Sequence, residues 1–338
     1  MSKIKQLWMR VPIKRAFFGA LLVAAVGVWL IAASGAVTYT ASSEAESGAR
    51  TSQVVSVDDS KASGGKAIRF TSPTPTTPPS TPPPTTPPSS ATKCASLANL
   101  KFCDDFDGGA NTAPDTAKWS ILTYSAWGGQ CFRNQRENLA HDGQGNMKMT
   151  LINKGSTQCT DGEGYPTSVT SGGMDTKGKY TFKYGKVEVR AKIACAKSVW
   201  GAIWTATGTG PAWPQSGEID IYEQFEGKQN SLKNTIHAGN PHWQKGASIT
   251  NASGRLCDDF HTYGVDWRQG SIQFMLDGKN TTKFTSADAA GRPWPFDTYD
   301  QRMLIDLQYG SPGWPSAGAY DATELPSSML VDYIRIYN

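Results

Sequence analysis

The chain has 338 residues and a formal net charge of +4, and Lys3, Lys5, Arg10, Lys14 and Arg15 supply more than that excess before the first acid, Glu44. The remainder is close to neutral, which excludes a basic nucleic-acid footprint. The six cysteines all follow residue 93 and show no CxxC spacing, so a zinc centre is disfavoured and three disulfides in an oxidising compartment are expected, with Cys94 and Cys103 near enough for a small loop.

Behind the basic residues runs an apolar stretch, Phe17 to Val37, "FFGALLVAAVGVWLIAASGAV". This is an export signal, longer than the apolar region of most cleaved peptides, and it reads equally as a signal peptide or as an N-terminal membrane anchor over 1–37. Either way the rest of the chain lies outside the membrane. Residues 38–70 are rich in Ser, Ala, Gly and charge and are expected to be disordered. Residues 71–93, beginning "TSPTPTTPPSTPPPTTPPSSAT", form a Pro/Thr/Ser linker, an extended stalk that holds a folded domain away from a surface.

From Cys94 the pattern changes to short alternating runs. Met147, Met149 and Leu151 alternate; so do Ile272, Phe274 and Leu276, followed by an Asp277-Gly278 hairpin turn; "MLVDYIRIY" ends the chain with the same period. In "KYTFKYGKVEVRAKI" the apolar parity shifts at Gly185, the mark of a bulge or bend. With no amphipathic helix of ten residues or more, the run 94–338 predicts an all-β sandwich of two antiparallel sheets.

The stretch that carries chemistry is "GEIDIYEQFEG", residues 217–227. Strict alternation puts Glu218 and Asp220 on one face and Glu223 on the other. A bulge around Ile221 and Tyr222 resets the alternation and brings all three acids to one face. Glu218 and Glu223 then lie roughly 13 Å apart at Cα, at about 3.3 Å per residue. Side chains leaning together close that gap to the about 5–5.5 Å of a nucleophile and acid/base pair in a retaining glycosidase. The plainer reading is a solvated strand that happens to carry three acids.

E-x-D-x-x-E in "GEIDIYE", preceded by "WGAIWTATGTGPAWPQS", resembles glycoside hydrolase family 16 in its bulged, laminarinase-like form. Stretches in the same order support it: "FCDDFDGG", "TSGGMDTKGKYTFKYGKVEVRAKI", "NTIHAG", "FHTYGVDWRQGSIQFMLDGK" and "MLVDYIRIYN". The resemblance implies a β-jelly roll with a concave substrate cleft. It implies Glu218 as nucleophile, Asp220 as its assisting acid and Glu223 as general acid/base, with the pKa of Glu223 above that of Glu218. It also implies a cleft position for His237, and Trp200, Trp204 and Trp213 are candidate platforms for sugar rings. No cofactor is required, a structural calcium held partly by Asp332 is implied, and the chain is expected to act as a monomer. "FRNQREN" and "SGGMDTK" depart from the family pattern, the second by lacking an Arg after Ser171-Gly172. The substrate expected is therefore a β-1,3-glucan or a related β-1,3-linked glycan such as a galactan. A non-catalytic glycan-binding module and a transglycosylase are the alternatives.

Overall fold

In the computed structural model, side chains are described for residues 94–124, 128–160, 162, 164–224, 227–310 and 321–338, and backbone alone for 54–58 and 66–70. The apolar stretch Phe17–Val37 and the linker up to residue 93 lie outside the described residues; no helix among those described is long and apolar enough to cross a membrane. Within the segment expected to be disordered, Val54–Asp58 and Lys66–Phe70 pair as an antiparallel hairpin in a compact unit of their own. Composition pointed away from order there, but "VVSVD" and "KAIRF" are locally rich in β-branched and aromatic residues, which suit strands.

The second unit contains two large sheets, as the alternation requires. We label the strands of the seven-stranded sheet in chain order: β1 (Ser120–Ile121), β2 (Gly173–Asp175), β3 (Val199–Thr207), β4 (Glu218–Glu223), β5 (Ser231–Ala238), β6 (Trp243–Thr250) and β7 (Gln301–Tyr309). Their order across the sheet is β6-β5-β4-β3-β7-β2-β1, every pair antiparallel. A ten-stranded sheet packs against it, with Gly185–Lys192 and Ser327–Tyr337 at its middle. That sheet has one parallel pairing, Val169–Ser171 with Cys131–Phe132.

The core lies between the sheets. Ile203, Ile219, Ile221, Tyr222, Ile305 and Leu307 from the smaller sheet join Val187, Val189, Val265, Phe274, Ile334 and Ile336 from the larger in one buried cluster. The Tyr222 and Tyr263 rings meet across it, centroids 4.7 Å apart. Burial of each large apolar side chain contributes about 1.5–3 kcal/mol, so this layer fixes the position of every residue on the opposite face.

The parity shift at Gly185 is a crossing between sheets. Phe182 bridges to Gln301 of β7, Tyr184 and Gly185 take φ of 64° and 125°, and from Gly185 the chain runs in the larger sheet. A Cβ at Gly185 would meet the Tyr337 carbonyl oxygen at 2.3 Å, so only glycine fits the corner. The Asp277-Gly278 turn has φ of 50° and 73°, both positive, as a tight hairpin demands. Three disulfides close the domain, Cys94–Cys103, Cys131–Cys159 and Cys195–Cys257, and no described cysteine is free.

Candidate active site

The register of β4 against its neighbours breaks where the acids need it to. Ile203 pairs with Tyr222 but Trp204 with Asp220, and on the other side the ladder to β5 jumps from Asp220–Thr235 to Glu223–Lys233. Ile221 is the extra residue. Ile221 and Tyr222 both point into the core, and Glu218, Asp220 and Glu223 share the outward face. The apolar demand of the core sets this arrangement: two consecutive large side chains go inward, so the next acid must come out.

That face floors a cleft of about 690 Å³. Its aromatic lining is Trp200, Trp204 and Trp213, so all three tryptophans singled out in the sequence reach it. Trp200 and Trp204 alternate with Ala202 and Ala206 along β3 and are nearly covered, while Trp213 stands on the loop before β4, 53% exposed. The Trp213 side chain hydrogen-bonds Glu218, and that of Trp200 hydrogen-bonds Glu223.

Each acid has distinct company. His237 of β5 sets Nε2 3.4 Å from Asp220 Oδ2 and 3.7 Å from Glu218 Oε1. The Thr235 hydroxyl donates to Glu223 Oε2 at 2.9 Å, and Lys233 lies across the ladder from Glu223. Burial raises the pKa of Glu218 well above the carboxylate range, with the charges of Asp220 and Glu223 adding to it and His237 opposing. Asp220 is likewise raised well above its ordinary value by burial and by Glu223. Glu223 is raised by burial, against hydrogen bonds from Thr235 and Trp200 and the charges of His237 and Lys233. Burial thus raises both glutamates, and the ordering expected between them, Glu223 above Glu218, stays an expectation for titration to check. Thr235 and Lys233 were absent from the sequence reading, and both favour the charged form of Glu223.

Further residues join the site that the motif did not name. On β7, Arg302, Leu304, Asp306 and Gln308 alternate onto the cleft side. Asp306 is fully buried, accepting from Trp204 Nε1 and Gln308 Nε2, each at 2.7 Å, and burial pushes its pKa up to about 6. Arg302 is committed to Asp175, its Nε 2.9 Å from Oδ1, and also donates to the Thr207 carbonyl. Gly173 stands at the position after Ser171-Gly172 where the family's Arg is absent. It is the ladder partner of Asp306, and a Cβ there would meet Asp306 Cβ at 2.9 Å. His242, in the loop between β5 and β6, also lines the cleft. Period-2 reading of "QRMLIDLQY" would have exposed the β7 set; nothing in "GNPHW" marks His242.

Asp332 lies elsewhere. It is on the larger sheet with its Oδ2 on Arg190 Nη1, and it belongs to none of the groups of three or more His, Cys, Asp or Glu ligand atoms that converge among the described residues. Its carboxylate is already neutralised by a guanidinium, which is a poor start for a calcium site built from oxygens alone. These side chains do not fit the implied ion.

Residues 129–334 match the model of the glycosyl hydrolases family 16. The chain is 32% identical over 258 residues to a keratan-sulfate endo-1,4-beta-galactosidase of Sphingobacterium multivorum, covering 74% of this chain and 57% of that protein. It is 31% identical to glucan endo-1,3-beta-glucosidase A1 of Niallia circulans, over 71% of this chain and 38% of the relative. It thus spans roughly half or less of these two relatives' lengths. Among solved structures, SCLam, a non-specific endo-beta-1,3(4)-glucanase, superposes with a TM-score of 0.61 at 32% identity, over 72% of this chain and 92% of that one.

Proposed function

The chain belongs to family 16 of the glycosyl hydrolases, and on that premise we propose that it is a retaining, endo-acting hydrolase of internal β-glycosidic bonds in a neutral polysaccharide, a β-1,3-glucan before a galactan. The observation that carries this reading is the bulge in β4, which gathers Glu218, Asp220 and Glu223 on the floor of an open, tryptophan-lined cleft. Glu218 attacks the anomeric carbon while Glu223 protonates the departing oxygen. Water, deprotonated by Glu223, then releases the glycosyl enzyme, so the configuration at the anomeric carbon is kept. Asp220, between the two and hydrogen-bonded to Glu218, moderates how the protons are shared.

The charge of the cleft favours a neutral substrate. Among the described residues the cleft acids Glu218, Asp220 and Glu223 stand with His237, His242, Lys233 and an Arg302 already held by Asp175, a lining that favours a neutral chain over one carrying sulfate or carboxylate groups. The Niallia relative's name points to β-1,3-glucan, the Sphingobacterium relative's to a sulfated galactan, and the acidic lining favours the former. Three disulfides fit work outside the cell, with the N-terminal stretch serving for export or tethering. The test is product analysis on laminarin, lichenan and keratan sulfate. New reducing ends in mid-sized fragments, born as the β-anomer, are expected from laminarin; cleavage of keratan sulfate alone, or α-anomers at birth, would overturn the reading.

A further inference from the structure

His237 and His242 form a pair whose geometry asks for an explanation. Their rings are stacked, 5.3 Å between centroids and 9° from parallel, and His237 Nδ1 lies 3.0 Å from His242 Nε2. Trp213 packs on His242 at 5.1 Å. On its other side His237 Nε2 lies 3.4 Å from Asp220 Oδ2 and 3.7 Å from Glu218 Oε1.

We propose that His242 is a positioning residue for the reaction: by pairing with His237 Nδ1 it keeps the His237 Nε2–H directed at Asp220 and Glu218 in both protonation states of His237. The inference rests on the reading of β4 as the catalytic strand. Two carboxyl groups stand before Nε2, and whichever is ionised accepts, so a hydrogen on Nε2 is the tautomer that suits them. In neutral His237 the Nδ1 is then a lone pair, and His242 Nε2 donates to it. When His237 takes up a second proton, its Nδ1–H donates and His242 Nε2 becomes the acceptor, the hydrogen of His242 moving to its own Nδ1 by exchange with solvent, where His242 is exposed. One imidazole thus satisfies its neighbour in either state.

The direction of the charge follows from surroundings. Burial, and then His237, lower the pKa of His242, which makes His242 the neutral partner of the pair. A cation on His237 favours the ionised form of Glu218, which is otherwise raised by burial and by its acidic neighbours. The groups facing the pair are Glu218, Asp220 and Glu223 from β4 and Lys233 from β5; the loop carrying Trp213, residues 208–217, brings no titratable side chain. Without His242, the His237 cation loses its acceptor and Glu218 stays protonated to higher pH.

Two variants separate the hydrogen bond from the ring. His242→Phe keeps a ring for Trp213 and His237 but no hydrogen bond; His242→Gln keeps an amide able to donate or accept at the Nε2 position. On laminarin, His242→Phe is expected to lose about tenfold in kcat with KM little changed, the value of roughly one hydrogen bond. The acidic limb of its kcat/KM profile moves to higher pH, while His242→Gln keeps the wild-type profile. Side-chain nitrogen NMR of the free protein, which needs no substrate, is expected to show His237 as the Nε2–H tautomer in wild type and Gln and as a mixture in Phe. Unchanged His237 signals in the folded Phe variant, equal profile shifts in Phe and Gln, or an effect confined to KM would overturn the proposal. Inactivity of the wild type on every glycan would sink the function instead, and the NMR result would still judge the histidine pair.

Discussion

The acids of β4 and the acids of the larger sheet are buried to similar degrees in places, yet they are treated oppositely. On the larger sheet Asp332 pairs with Arg190 and Asp277 with His261, which together with the Thr262 backbone N–H holds Asp277 below its ordinary pKa even against its partial burial. In the cleft, Glu218, Asp220 and Glu223 are raised, each with other acids close by and only a histidine and one lysine to offset them. A carboxylate that serves the fold is given a cation; one that serves chemistry is kept short of it, because a fully neutralised carboxylate is neither a good nucleophile nor a proton donor.

The sharpest way to break this contrast is to remove the cleft acids. Glu218→Ala is expected to lose about 10⁴-fold or more in turnover on every glycan, since no other group forms the covalent intermediate. Glu223→Ala is expected to fall as far on polymer but to be rescued by azide on a substrate with an activated leaving group, giving a β-glycosyl azide. A β-glycosyl azide from Glu218→Ala, with the α-anomer coming from Glu223→Ala, would reverse the two roles.

Asp332→Asn tests the other side. It leaves the half-buried Arg190 without its carboxylate, at an expected cost of about 3 kcal/mol in urea unfolding, the low end for a buried pair, with kcat unchanged because neither residue lines the cleft. A loss of kcat in folded protein would place the larger sheet in the site.

Asp306 sharpens the comparison through pH. Its folded pKa of about 6 exceeds the ordinary 3.8, so the native state binds the proton more tightly than the unfolded chain. The stability this provides is full below about pH 4 and is lost as pH rises through about 6, in total about 3 kcal/mol. Unfolding midpoints measured across that window are expected to fall more steeply with rising pH in wild type than in Asp306→Asn. Equal slopes would mean Asp306 is ionised at no cost.

The smallest effect belongs to His261 and Asp277. His261 is raised by its hydrogen bond to Asp277, so its contribution is full below about 6.5 and disappears as pH rises through the raised value. The pair is partly exposed and screened, so His261→Gln is expected to shift stability by only about 0.5 kcal/mol, in thermal melts below neutral pH.

Much of this was legible along the chain. Alternation in Met147–Leu151, Ile272–Leu276 and the final strand announced the sandwich, and the wrong-sided Glu223 announced a bulge, because period 2 is a property of the backbone itself. The six cysteines without CxxC announced three bridges. Within the segment whose composition points to disorder, Val54–Asp58 and Lys66–Phe70 pair as strands, two locally β-prone runs among polar surroundings.

What the sequence alone determined is therefore what depends on near neighbours: strand faces, turns, the bulged acidic motif and the family resemblance it carries. The tertiary structure decided what depends on residues far apart in the chain. Arg190 meets Asp332 across 142 positions, and Asp306 meets Trp204 across 102. The same holds for the acids, since Thr235 and His237 reach β4 only by strand pairing. A pKa is set by desolvation and by whichever charges the fold brings within a few ångströms, and no local pattern encodes either.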